Sequence, residues 1–153
     1  MPTWRYSTSA LDPERTVKCA GRELRISPKA ATEICKAIRG LKLPKAKQLL
    51  EEVEEKKKSI PYRHYKKEVP HKGHQGFHAG RYPVKAANSI RRLLEQLEAN
   101  AEYRGLDPEK VKITHAASQR GMKIRKYIPR AFGRGSAYFN TLTHIELIGY
   151  ETE

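Results

Sequence analysis

Residues 110–145 contain no acidic residue, and this stretch constrains the fold more than any other feature of the 153-residue chain. It begins with KVKIT, and THIELIGY overlaps its far end; both segments alternate polar and apolar residues like half-buried strands. Its positive charges are Lys110, Lys112, Arg120, Lys123, Arg125, Lys126, Arg130 and Arg134. A two-stranded ribbon is marginally stable alone in water. We therefore predict a long β-hairpin over residues 110–150, with a tip near 126–138, that is completed by an anionic partner.

The side chains of this hairpin favour nucleic acid as the partner. Tyr127, Ile128, Phe132, Tyr138 and Phe139 alternate with the basic residues, and a merely solvated loop rarely needs them. Arginine grips phosphates and stacks on nucleobases, and aromatic rings stack as well. If about ten residues per arm project, the ribbon reaches on the order of 30 Å, which suits a large folded RNA. The alternative is a solvated ribbon or a disordered loop.

The remaining pattern predicts three helices and one further strand. The strand covers 17–26, with a break at Gly21. Helices are expected from Pro28 to about Gly40, from about Pro44 to Lys57, and from Pro83 to Gly105, because apolar residues recur at helical spacing. The order β-α-α-α-β-β predicts an α+β fold: three helices packed on a small three-stranded antiparallel sheet, with the long hairpin projecting from it. We expect one domain over 1–153, with an N-terminal surface arm over 1–16.

Residues 59–83 have no sustained period and predict a long basic loop inserted between the second and third helices. From Lys56 to Lys85 there are nine lysines and arginines but only one acid, Glu68. The aromatic residues of the loop are Tyr62, Tyr65, Phe77 and Tyr82. Loops of this length are usually functional or disordered. RNA binding is the favoured interpretation, and a solvated disordered insertion is the alternative.

The same loop contains histidines that invite a metal interpretation. His71, His74 and His78 are the candidate zinc ligands, but structural zinc sites usually include cysteine thiolates and neither Cys19 nor Cys35 is near. Imidazoles that contact RNA are the favoured alternative, so we predict no metal and no cofactor. Cys35 lies on an apolar helix face, which predicts a buried thiol. Cys19 with His115 or His144 could be imagined as a nucleophile–base pair, but nothing in the sequence beyond the residue types supports this. No nucleotide-binding, zinc-protease or hydrolase motif occurs, so we predict no catalytic residues and no enzyme.

The overall charge restricts the partners further. The formal charge is +14 and the isoelectric point is near 9.9, which favours nucleic acid over a membrane surface or an acidic protein. No apolar run approaches 18 residues and the mean hydropathy is −0.77, so no membrane partner is expected. No apolar segment follows Met1, which predicts a cytoplasmic protein.

Several segments resemble a known family. The most specific are residues 27–30 (SPKA), 128–131 (IPRA), the following Gly133 and Arg134, and 143–145 (THI), together with the form YPVKAANSIRRLLEQLEANA in the third helix. From about Val17 to Tyr150 the chain resembles the L-twenty-two family of large-subunit ribosomal proteins. The loop over 59–83 resembles the insertion of its archaeal and eukaryotic branch.

This resemblance implies a structural constituent of the large ribosomal subunit whose hairpin lines the exit tunnel of the nascent polypeptide. The implied partners are large-subunit rRNA, neighbouring ribosomal proteins and the nascent chain. The candidate rRNA-binding residues are Arg22, Lys29, Arg63, Lys66, Lys67, Lys72, Arg81, Arg120, Lys123, Arg125 and Lys126. The candidate tip residues are Ile128, Pro129, Arg130, Phe132, Gly133 and Arg134. One rival is a free-standing RNA-binding protein or RNA chaperone, and another is an RNA-cleaving enzyme that uses His71 or His74.

Overall fold

A central antiparallel sheet organises the fold in the computed structural model, which describes residues 5–8 and 11–152. Its strands are β1 (Thr16–Leu24), β5 (Val111–Ile124) and β8 (Asn140–Glu151), in the order β1-β8-β5. Strand β8 is therefore paired along both edges, and its Ile145, Leu147 and Ile148 side chains are fully buried. The two segments that alternate polar and apolar residues are neighbouring strands of one sheet, as the sequence predicts.

Three helices complete the core, and the predicted α+β fold is confirmed. They are α1 (Pro28–Ile38), α2 (Leu43–Glu54) and α3 (Val84–Tyr103). Helices α1 and α3 lie against the sheet, while α2 packs mainly on α3. The buried stripe of α3 consists of Ala86, Ala87, Ile90, Leu93, Leu94, Leu97 and Ala101. No helix in the described ranges is both long and apolar enough to cross a membrane.

Gly21 allows α3 to approach the sheet closely. A Cβ added to Gly21 of β1 would lie 2.9 Å from Cδ1 of Leu93, whereas the short contact of a Cβ added to Gly149 of β8 would be with Cγ1 of Val111, at 2.5 Å, on the neighbouring strand. The expected break at Gly21 is wrong, because Gly21 pairs with Ile145 within a continuous β1. The irregularity comes later, as a register shift between Gly21 and Leu24.

Helix α2 ends three residues before the predicted Lys57. Lys56 adopts a left-handed backbone conformation (φ 60°), which cannot continue a right-handed helix. The backbone N–H groups of Lys57 and Lys58 both donate to the Glu52 carbonyl and close the end of the helix. The three lysines therefore lie outside α2 and lead into the insertion.

The insertion over 59–83 contains short strands that the sequence pattern does not predict. They are β2 (Ile60–Pro61), β3 (His71–Lys72) and β4 (Phe77–Arg81), in the order β2-β4-β3, with a 3₁₀ turn at Gly73–Gln75. The backbone N–H and hydroxyl of Ser59 both bond to Oε1 of Gln75, at 2.8 and 2.5 Å. These contacts give the segment a structure of its own.

The hairpin extends beyond the sheet as a narrow ribbon. Strands β5 and β8 pair as far as Ile124 with Asn140, and β6 (Tyr127–Pro129) and β7 (Gly135–Ala137) continue the two arms. At the tip the N–H of Arg130 donates to the carbonyl of Arg134 at 2.7 Å.

Candidate nucleic-acid interface

The arms of the hairpin carry basic side chains without acidic partners. Arg120, Lys123, Arg125 and Lys126 are all exposed. None of them forms an ion pair with a carboxylate that lies within residues 5–8 or 11–152. A row of like charges without internal neutralisation raises the positive potential along the ribbon. The arms are therefore suited to bind a polyanion.

Exposed apolar side chains are concentrated on the same ribbon. Among the described residues, seven large hydrophobic side chains are exposed, and all except Tyr103 belong to the hairpin: Met122, Tyr127, Ile128, Phe132, Tyr138 and Phe139. The Tyr127 and Phe139 rings meet edge to face, with centroids 6.0 Å apart. Aromatic groups beside unpaired cations are the combination that binds unpaired RNA.

The tip is a tight turn that presents two arginines and a phenylalanine. Phe132 and Gly133 both have left-handed backbone conformations, with φ of 58° and 65°. The Phe132 side chain is 94% exposed. The Nε–H of Arg130 donates to Oγ of Ser136 at 3.2 Å, which steadies the guanidinium across the ribbon. Ile128, Pro129, Arg130, Phe132, Gly133 and Arg134 therefore lie together at one exposed end of the molecule.

The neck of the hairpin is held by a glutamate that sequence reasoning missed. The N–H of Glu23 donates to Nδ1 of His144 at 3.1 Å, and Oε1 of Glu23 lies 3.2 Å from Nε2 of that ring. An accepting Nδ1 assigns the proton to Nε2, which then donates to the carboxylate. Gly121 passes close by, since an added Cβ would lie 3.0 Å from Oε1 of Glu23. His144, from the THI segment singled out in the sequence, is the signal that points to this contact.

The second basic surface is a depression between α1 and the insertion. It brings together four predicted RNA-binding residues, Lys29, Lys66, Lys67 and Arg81, around the side chains of Tyr62 and Tyr65. Lys29 comes from the first turn of α1, Lys66 and Lys67 follow β2, and Arg81 ends β4. The fold thus assembles residues that are as far apart in the sequence as Lys29 and Arg81.

Three other predicted residues lie outside this depression. The Lys72 ammonium is 5.1 Å from the centroid of the Tyr82 ring, and its side chain is half-buried. Arg63 is exposed at the start of the loop that follows β2. Arg22 is exposed on β1 and does not line the depression.

Glu33 of α1 fixes the loop that forms one wall of the depression, and sequence reasoning did not select it. The backbone N–H groups of Arg63, His64 and Tyr65 donate to its carboxylate at 3.2, 2.8 and 3.0 Å. Burial of Glu33 raises its pKa, but these three donors, with the charge of Lys36, outweigh burial and hold the pKa below its ordinary value. The buried carboxylate therefore stays ionised and anchors the loop.

Among the described residues, the other polar groups are not arranged as a catalytic triad or as a metal centre. His115 contacts both Ser7 and Glu146 through Nε2, at 2.9 and 3.3 Å, whereas a serine–histidine–acid triad needs its two partners on opposite ring nitrogens. His71 and His78 stack edge to face at 5.1 Å, and no group of three metal-ligating side chains occurs in the part of the chain described.

Both cysteines are buried neutral thiols. Burial raises the pKa of Cys19, whose Sγ lies 3.5 Å from Oε1 of Gln96 rather than beside a histidine. Burial also raises the pKa of Cys35 to about 12, with Arg39 opposing the shift. The thiolate is the nucleophilic form, so neither cysteine is activated.

Comparison with known proteins assigns the family. The family model described as "Ribosomal protein L22p/L17e" matches residues 19–149. "Large ribosomal subunit protein uL22" of Methanopyrus kandleri is 52% identical over 149 residues, covering 95% of this chain and 94% of that protein. The proteins of the same name from Ignicoccus hospitalis and Thermofilum pendens are 48% and 46% identical, and each comparison covers 100% of both chains. The relatives are archaeal, as the insertion suggests. The chain therefore belongs to the L22p/L17e family of ribosomal proteins.

Proposed function

We propose that this protein is a structural constituent of the large ribosomal subunit in the cytoplasm and has no catalytic activity. The observation that carries the proposal is the acid-free stretch of the hairpin, residues 110–145, whose exposed basic residues have no carboxylate partner in the described part of the chain. The names of the relatives, "Large ribosomal subunit protein uL22", support the RNA of that subunit as the anionic partner. A ribbon of this kind gains its order from that RNA.

The rRNA is bound by two basic surfaces. The first is the hairpin arms, where Arg120, Lys123, Arg125 and Lys126 bind phosphates. The second is the insertion with its neighbours, where Lys29, Arg63, Lys66, Lys67, Lys72 and Arg81 do so, and Arg22 adds a contact from β1. Their exposure and charge support these roles, since phosphate contacts dominate the affinity of RNA-binding proteins.

The tip of the hairpin lines the exit tunnel and contacts the nascent polypeptide. Its reach supports this role, because the arms carry the tip away from the core sheet. Arg130 and Arg134 supply charge, Ile128 and Phe132 supply apolar surface, and Pro129 and Gly133 shape the turn. Such a mixed surface is suited to contact both RNA and a passing peptide.

Neighbouring ribosomal proteins are the third class of partner. The helical side of the domain supports this assignment, since its acids are matched by basic residues rather than left to repel RNA. Glu54 lies 3.0 Å from the guanidinium of Arg91, and Lys47 pairs with Glu98. A surface whose charges are matched internally attracts a phosphate backbone less than the two basic surfaces do.

Sedimentation and crosslinking test this function together. We expect the protein to remain with the large subunit through a salt wash, and ultraviolet crosslinks at residues 120–138 to map to one large structured RNA. A cellular pool found mostly outside ribosomes would favour the free-standing RNA chaperone. RNA cleavage that is lost in His71→Ala or His74→Ala would favour the enzyme.

A further inference from the structure

The depression between α1 and the insertion is lined by the kinds of side chain that bind a nucleotide. Its floor is apolar and buried, formed by Ala30, Tyr62 and Val69. Its rim carries the cations described above, and no carboxylate lines it. An apolar floor beneath a cationic rim matches a nucleobase with its flanking phosphates, and it does not suit a metal ion that needs anionic ligands.

The Tyr62 hydroxyl is an unused polar group in this depression. The residue is only 8% exposed, and its hydroxyl has no hydrogen-bond partner anywhere in the described ranges of the chain. Buried polar groups are normally paired, so this hydroxyl is available to a ligand that enters the depression. Burial also raises the pKa of the phenol, with Glu33 adding to the shift and Arg81 opposing it, so the hydroxyl stays protonated and can donate.

Tyr65, which lines the same depression, supplies an aromatic ring, and its backbone is held in place. Its backbone N–H is one of the three that bond to Glu33, so its position is set by a buried carboxylate of α1. The Lys29 ammonium lies over this ring, 5.9 Å from its centroid, and Lys29 also lines the depression. The ring and the cation are thus placed as a stacking partner and a phosphate partner.

We propose that this depression binds one unpaired nucleotide of the RNA. The base stacks on Tyr65, the Tyr62 hydroxyl donates to an acceptor on the base edge, and Lys29, Lys66 and Arg81 bind the flanking phosphates. Glu33 is a positioning residue, since it touches only the loop backbone. The proposal rests on the rRNA-binding function and adds that the insertion recognises a nucleotide rather than phosphate charge alone.

The first test uses Tyr62→Phe in the full chain, with large-subunit RNA as the probe. Losing one donated hydrogen bond is expected to weaken binding roughly 2- to 10-fold. The melting temperature of the free protein should stay the same or rise, because an unpaired buried hydroxyl is removed. Tyr103→Phe is the matched control, since that side chain is 93% exposed at the end of α3. Equal affinity of Tyr62→Phe and wild type would overturn the assigned hydrogen bond.

The second test separates stacking from charge. Tyr65→Leu keeps apolar volume against the core and should weaken binding roughly 5- to 150-fold, the range for one base–aromatic stack, with an unchanged salt slope. Lys66→Ala should instead reduce the salt slope by about 0.7 to 1. Methylation footprinting should show one unpaired nucleotide that is protected by wild type and Tyr65→Phe but reactive with Tyr65→Leu.

The outcomes distinguish this proposal from the function beneath it. Salt-dependent binding by wild type together with an identical footprint for Tyr65→Leu would overturn the nucleotide site and leave rRNA binding intact. If wild type showed no salt-dependent binding to large-subunit RNA, both the nucleotide site and the proposed rRNA-binding function would be overturned.

Discussion

At the scale of the single residue, the buried Glu33 carboxylate gives the insertion a dependence on pH. Its folded-state pKa lies below the ordinary 4.5, so its stabilising effect is complete above that pH and is lost as the pH falls through the folded-state pKa. We expect Glu33→Gln to lower the free energy of unfolding at pH 7 by about 1–3 kcal/mol. The difference in the free energy of unfolding between Glu33→Gln and wild type should become smaller below about pH 4.5. Urea unfolding between pH 7 and 3 measures this difference.

A matched variant isolates this effect. Glu146 also has a lowered pKa, because burial is outweighed by hydrogen bonds from Ser7 and His115, so the wild-type curve contains more than one carboxylate. The difference curve between Glu33→Gln and wild type removes that contribution. Glu102→Gln, at an exposed position near the end of α3, should leave stability unchanged across the range. A constant gap for Glu33→Gln at every pH would contradict the role given to its ionised form.

Residues that act through backbone groups were the ones hidden from sequence reasoning. In the sequence Glu33 is simply one acid on a helix. Its partners are backbone N–H groups, which every residue except proline has, so no residue type in the sequence points to them. Glu23 was missed for the same reason, since half of its contact with His144 is made by its own N–H. The exposed cations, in contrast, were open to prediction because charge and exposure follow directly from residue type.

At the scale of the element, the length of a helix or strand determines whether the sequence pattern can predict it. The 20 residues of α3 give a complete apolar stripe, so its existence and buried face followed from spacing alone. The strands β2 and β3 have two residues each, which is too short to display any period. These strands are held in place by contacts such as the one between Gln75 and Ser59. Because these two residues are 16 positions apart, their contact produces no local pattern in the sequence.

The hairpin tip should be removable without loss of the core. Ile124 and Asn140 are paired across the ribbon, so residues 125–139 can be replaced by Asn-Gly, which forms a two-residue hairpin turn. All but Ser136 in that segment are exposed, and none belongs to the core cluster. We expect cooperative unfolding with a free energy within about 1 kcal/mol of wild type, measured by urea denaturation.

The equivalent excision of the insertion is the contrasting control. Pro61 and Gly80 are also paired, so residues 62–79 can be replaced by the same dipeptide. This removes the buried Tyr62 and Val69 from the core cluster, and it leaves the Glu33 carboxylate without its three donors. We expect a clear loss of stability here. A large loss on excision of the tip instead would mean that the ribbon contributes to the core.

At the scale of the whole molecule, acidic and basic charge are separated. The acids of α2 and α3 are largely paired, as in Glu54 with Arg91 and Glu95 with the same guanidinium. Residues 110–150 of the hairpin contain one acid, the buried Glu146, and Glu23 of β1 lies at the neck, while the insertion has only Glu68 within it. A formal charge of +14 is therefore concentrated on the two surfaces that we assign to RNA.

This separation predicts a steep dependence of RNA affinity on salt. If the protein neutralises about 6–10 phosphates, binding to large-subunit RNA should weaken roughly 10³- to 10⁵-fold between about 50 and 200 mM monovalent salt. Filter binding across that range gives the slope. The double variant Arg125→Ala/Lys126→Ala should flatten the slope by about 1.4 to 2, because two phosphate contacts are lost from the hairpin.

A lysine outside both surfaces shows whether position or total charge sets the slope. Lys45→Ala, on the exposed side of α2, changes the net charge by one and touches neither surface. If direct phosphate contacts release the counterions, its slope should equal that of wild type. If its slope falls by as much per charge as in the hairpin variant, the whole field of the molecule drives binding, and the assignment of RNA contacts to the hairpin arms fails.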